Sequence, residues 1–113
     1  MSNRYITESI AADLLDKKNV VFVGQAYGET IETLKGVEAH LPKRKIRKVT
    51  RANGLQAIEL KNGARLRVFT APKGGVRGYS TDVLVVRGWN ELPEDLKQSI
   101  IPTIAPHGEL IRF

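Results

Sequence analysis

Two short runs without a polar residue, Val20-Val21-Phe22-Val23 and Val83-Leu84-Val85-Val86, constrain this chain more than any other feature. Successive side chains of a strand point to opposite faces, so a run that is apolar at every position is buried on both. Strands of that kind belong to parallel sheets covered by helices.

Helical periodicity flanks the runs. Ile6, Ile10 and Leu14 recur at a spacing of four and predict a helix over residues 5–17, closed by Lys17-Lys18-Asn19, where positive charge suits the negative helix end. A second helix is expected over 28–40, with Ile31, Leu34, Val37 or Glu38, and Leu41 on its inner stripe; Gly36 counts against it and Pro42 marks its end. Residues 45–52 alternate weakly, as a strand with Lys45 and Arg47 on one face and Ile46 and Lys48 on the other. Residues 56–70 read as a hairpin around Lys61-Asn62-Gly63. A two-residue turn would set Leu60 opposite Arg65, whereas a three-residue loop with Gly63 in the left-handed region pairs Leu60 with Ala64, Glu59 with Arg65 and Ile58 with Leu66. The second register separates an apolar from a charged face and is the one expected.

Residues 71–79, APKGGVRGY, form a Gly-rich basic loop. Pro93-Glu94-Asp95 opens a helix, with Leu96 and Ile100 on its inner face and Pro102 ending or kinking it. Pro106-His107-Gly108 reads as a turn before a last short strand over 109–113. The order implies an α/β domain with a largely parallel core and an antiparallel excursion. The 113 residues make one domain, 1–113. The chain start has no uninterrupted apolar core, with acids at Glu8, Asp13 and Asp16, so it does not read as a signal peptide, and no run reaches the length of a membrane span.

Charge is unevenly placed. Residues 43–77 hold eleven basic residues and one acid, Glu59, a local charge of +10; the remainder carries −4 and the chain +6. Such asymmetry points to a polyanionic partner, usually nucleic acid, or else to a solvated basic surface. Cysteine is absent, which excludes disulfides and thiol chemistry, and His40 and His107 stand alone, so no metal site is expected.

Taken in order, ITESIAADLLDKK, NVVFVGQAYGETIETLKGV, the hairpin IELKNGARLRVFT, the segment GGVRGYSTD, the strand VLVV and ELPEDLKQSIIPTIAP resemble the ATPase domain of viral terminase large subunits. The resemblance covers nearly the whole chain. It implies a three-layer P-loop-NTPase-like core, truncated, with a mainly parallel sheet plus an antiparallel hairpin, in a phage-encoded protein of the host cytoplasm. In that family the VLVV run would be the Walker B strand, followed by an Asp for magnesium and a Glu that activates water. The matching positions are Arg87 and Gly88. No G-x-x-x-x-G-K-[ST] phosphate loop is present, and the chain begins about where that loop would end, at Ser2. Asp82, at the other end of the strand, and Glu91, three residues past Gly88, do not replace the acids. The expectation is a pseudo-ATPase without enzyme activity or cofactor.

Candidate nucleic-acid contacts are Lys43, Arg44, Lys45, Arg47, Lys48, Arg51, Arg67, Lys73 and Arg77, with DNA favoured; Arg65 is read as neutralising Glu59. Tyr27, Tyr79 and Trp89 could stack on bases, although packing at strand ends explains them more simply. Trp89 is the candidate protein contact. A protein-interaction module, self-associating or binding a packaging, replication or host protein, is the alternative function; an ATPase completed by a partner chain is a third.

Overall fold

A computed structural model describes residues 4–52, 55–70, 81–100 and 104–112. Helix α1 spans Arg4–Leu15, strand β1 Val20–Gly24 and helix α2 Tyr27–His40. A 3-10 turn at Lys43–Lys45 leads into β2, Ile46–Ala52, followed by β3, Leu55–Leu60, and β4, Arg65–Thr70. Strand β5 is Thr81–Val86, a 3-10 turn covers Trp89–Glu91, α3 is Glu94–Ile100 and β6 is Ile104–Arg112. The strands form one sheet in the order β2-β3-β4-β1-β5-β6. Strands β4, β1, β5 and β6 run parallel, while β2, β3 and β4 meander antiparallel.

Both all-apolar runs are buried on both faces. Val20 and Phe22 of β1, with Val83 and Val85 of β5, join Ile10, Leu14, Leu34 and Val37 of the two helices. Val21 and Val23, with Leu84 and Val86, face the other way, against Leu92 and the partly buried Phe69, Trp89 and Leu110. The hairpin takes the three-residue loop: Glu59 pairs with Arg65 and Ile58 with Leu66, and the Leu60 N–H donates to Ala64 O at 2.9 Å.

Two expectations are corrected. Pro106-His107-Gly108 is no turn but part of β6, where the pairing with β5 jumps from Thr81↔Ile104 to Val83↔Glu109. An outer strand with an irregular register tolerates a residue that lacks an N–H. Residues 46–49 do not alternate simply. Ile46 pairs with Leu60 and Lys48 with Glu59, so a bulge at Arg47 separates them. Ile46 and Val49, three apart, thereby both pack against the helix-covered core, which strict alternation would forbid. The Gly-rich loop at 71–79, the role of Pro102 and the Leu96 and Ile100 side chains lie outside the described residues.

Gly36, unfavourable for helix propensity, lies where α2 meets α1. A Cβ there would sit 2.8 Å from the Thr7 Cγ2. Gly36→Ala is therefore expected to destabilise the fold, whereas in a Thr7→Ser background the same substitution should stabilise it, approaching the helix-propensity gain of about 1 kcal/mol. Urea unfolding of the three variants tests the reversal of sign.

Asp13, in the last turn of α1, is perturbed chiefly by burial, which raises its pKa above the ordinary 3.8; Lys18 lowers it, and Glu109 and Asp16 raise it further. A carboxyl raised in the folded state binds more protons folded than unfolded, so stability falls as pH climbs above 3.8 through the folded value. Asp13→Asn should stabilise the protein at neutral pH, and the gain should vanish in melts well below pH 3.8.

Candidate nucleic-acid interface and the strand end after β5

The face of the β2–β4 meander turned away from α1 and α2 is shaped by the bulge. Directly opposed residues share a face, so Lys48, Glu59 and Arg65 form one row across three strands, and Thr50, Ala57 and Arg67 the next. Arg47, in the bulge, also reaches this side: its Nε lies 3.5 Å from Glu59 Oε2, and Arg65 Nε donates to Glu59 Oε1 at 2.7 Å. Arg47, Lys48 and Arg65 are exposed and Arg67 half-buried. Two guanidiniums thus share one carboxylate, with Lys48 in its row and Arg67 in the next.

The other basic candidates lie elsewhere. Arg51 pairs with Gln56 in register and its guanidinium reaches Glu38 of α2, on the helix side of the sheet. Lys43, Arg44 and Lys45 are exposed on the 3-10 turn, beside Lys61, whose N–H donates to Lys45 O at 2.9 Å. Lys73, Arg77 and Tyr79 lie outside the described residues. Arg65 pairs with Glu59, as its reading as a neutralising partner expected. Sequence reasoning missed Lys61 as a neighbour of the turn and the bulge that brings Arg47 and Lys48 to one side; the three-residue spacing of Ile46 and Val49 was the available signal for the bulge.

At the carboxyl end of the parallel strands, three segments interlock. The Arg87 N–H continues the β1–β5 ladder, donating to Val23 O at 2.9 Å. Arg87 Nε lies 3.2 Å from Glu29 Oε2, while Glu29 Oε1 accepts the Gln25 N–H at 3.1 Å. The Gln25 side chain returns to β5, its Nε2 donating to Arg87 O at 2.9 Å and Gly88 O at 3.3 Å. Glu29 sits in the first turn of α2, where negative charge is favoured. Gly88 has φ 70°, and a Cβ there would lie 2.7 Å from Gln25 Nε2. Asp82, at the opposite strand end, accepts the Asn19 N–H at 2.8 Å, and Glu91 is exposed. Tyr27 is exposed and its hydroxyl accepts from Gln56 Nε2 at 3.1 Å.

Trp89 packs against the second apolar cluster. Lys97 Nζ and Arg112 Cζ lie 5.5 and 5.9 Å from its ring centre, within cation–π range. Trp89 lines an open concavity of about 460 Å³ with Gly88, Asn90, Glu91 and Arg112. Among the described residues no cluster of three or more His, Cys, Asp or Glu could hold a metal ion, and no helix is long and apolar enough to cross a membrane.

The fold matches solved structures of phage large terminases. The large terminase of bacteriophage HK97 superposes with a TM-score of 0.69 at 14% identity, over 94% of this chain and 26% of that one. The large terminase of a thermophilic bacteriophage gives 0.69 at 16% identity, over 94% and 29%. The chain has a terminase-like fold. It spans little more than a quarter of either terminase chain. No protein-family model matches the sequence, and no curated protein matches it significantly. The architecture expected from the resemblance, a mainly parallel sheet with an antiparallel hairpin, is the one found.

The geometry at Gly88 predicts a local stability requirement. Gly88→Ala should cost about 1–3 kcal/mol, because its backbone is left-handed and Gln25 fills the adjoining space. In a Gln25→Ala background only the contact part of that loss should disappear, leaving the backbone strain visible in urea melts.

Proposed function

We propose that this chain is a non-catalytic domain of terminase-like fold that binds nucleic acid electrostatically. The observation that carries the reading is the charge exchange after β5. Where the resemblance expects a magnesium-binding acid, Arg87 sets a guanidinium against Glu29; where it expects a water-activating acid, Gly88 is left-handed beside Gln25. These residues do not fit a magnesium nucleotide: a metal cation there would be repelled by Arg87, and the carboxylate of the network, Glu29, is engaged by Arg87 and the Gln25 N–H. No step of hydrolysis is therefore assigned to this chain.

Without that chemistry, the prominent feature is the basic surface within 43–77. Its cations suit phosphate contacts, which give affinity without sequence preference. The two structures named above are large terminases of bacteriophages, which agrees with a phage-encoded origin and a place in the host cytoplasm. A second reading, a protein-docking module, is favoured by Trp89, whose ring lines an open concavity between two cations.

Titration calorimetry with magnesium ATP should give no binding heat and a phosphate-release assay no turnover. Magnesium-dependent hydrolysis that tracks the protein through purification would instead indicate a site completed by a partner. Nucleic-acid affinity, followed by fluorescence anisotropy, should fall steeply with added salt; an affinity indifferent to salt would refute the electrostatic part of the proposal.

A further inference from the structure

Trp89 packs on the second apolar cluster, yet its ring stays partly exposed beside the open concavity of about 460 Å³. Two cations reach that ring from separate elements, Lys97 from α3 and Arg112 from the end of β6. They are not equivalent. The Lys97 side chain is 17% exposed and its Nζ lies 3.8 Å from Glu94 Oε2, so burial and an ion pair account for it. Arg112 is exposed and lines the concavity. Among the described residues no carboxylate lies within ion-pair distance of its guanidinium. An arginine beside a ring keeps its planar fork of N–H donors, which matches the two oxygens of a carboxylate.

The neighbouring charges limit what this arginine can receive. Lys97 and Arg112 are balanced by Glu94 and by Glu91, which lines the same concavity. A polyanion draws its affinity from many phosphate contacts and meets no net positive field here. Glu91 likewise disfavours a run of acids. One carboxylate at close range to Arg112 is the match. Beside it the indole offers apolar area, and Trp and Arg are prominent among the side chains at the energetic centre of protein contacts. Asn90, in the same wall, carries an amide that can donate to or accept from a peptide backbone. The volume falls in the range of small-ligand sites, which suits one or two side chains of a peptide.

Resting on the protein-docking reading above, we infer that the concavity between Trp89 and Arg112 receives a peptide segment of a partner protein in which an apolar residue adjoins a single Asp or Glu. The apolar side chain lies on Trp89 and the carboxylate meets the Arg112 fork.

Trp89 is the one tryptophan of the chain, so indole emission reports on this site alone. The probes are short capped peptides with Leu-Glu, Leu-Gln, Leu-Lys or Ser-Glu at the centre of Gly-Ser flanks. They are titrated into the wild type and into Arg112→Gln, whose folding is confirmed by circular dichroism and melting. The Leu-Glu peptide should shift the emission saturably, and the other three should bind about tenfold more weakly or worse. Arg112→Gln should cost the Leu-Glu peptide about tenfold and leave the Leu-Gln peptide unchanged, which isolates the carboxylate–arginine contact. Equal affinity for Leu-Gln or Leu-Lys, or an Arg112→Gln loss shared by Leu-Glu and Leu-Gln, would overturn this inference while leaving docking at Trp89 in place. No emission change with any of the peptides would overturn both. A single-stranded oligonucleotide that shifts the emission, with the shift lost in Arg112→Gln, would overturn the peptide assignment and give the concavity to nucleic acid.

Discussion

Burial of β1 on both faces is the constraint from which the rest of the structure follows. Phe22 and Val20 are committed to the cluster with α1 and α2, Val21 and Val23 to the opposite cluster. A slip of one residue would exchange the two sets and break both. Because β4 and β5 run parallel to β1 on either side, the carboxyl ends of three strands meet at one edge of the sheet. That is why Gln25, directly after β1, reaches Arg87 and Gly88, directly after β5, though they are far apart in sequence. The same pairing carries β4, and through it the basic meander, to the side of the sheet away from β5 and β6.

The core strands were legible because burial on both faces leaves a run with no polar position. The hairpin register was legible for a related reason, since only one loop length set apolar residues opposite apolar ones. The bulge was harder to read. Ile46 and Val49 signal it by their odd spacing, but Lys, Arg and Thr around them occupy exposed positions on either face with little preference. In β6, Pro106 and Gly108 carry strong turn propensity, which strand pairing at the sheet margin overrides. Of the candidate site, the density of cations was legible and their division was not. That division follows from strand alternation and the bulge at Arg47, with Glu38 engaging Arg51 on one side of the sheet and Glu59 engaging Arg47 and Arg65 on the other. That Arg87 and Gly88 follow β5 could be read directly, but not the Glu29 and Gln25 partners that hold them.

Strand β2 ends the order of paired strands, and basic side chains on such a strand discourage pairing with another chain. That role explains charge anywhere along the strand, including the Lys43–Lys45 approach. It does not require cations from β2 and β4 to converge on the broad face of the sheet. Nor does it explain why β4, covered by hydrogen-bonded neighbours on both edges, contributes Arg65 and Arg67 there. Convergence across strands suits the polyanionic partner proposed above, and protection of an edge does not require it.

The Arg87–Glu29 pair is partly exposed, so its net contribution to stability is small, about 1 kcal/mol at most. Its importance lies in the charge it fixes at the strand end. Were residue 87 an Asp, Glu29 would lose its cation and gain a second carboxylate in its neighbourhood, and like charges disfavour ionisation of both. Were residue 88 a Glu, its Cβ would meet Gln25 from a left-handed backbone. An acid at either position would oppose the neighbours on α2 or after β1. Glu29, Gln25, Arg87 and Gly88 therefore form one mutually consistent set, in which the arginine and the glycine are matched to their surroundings.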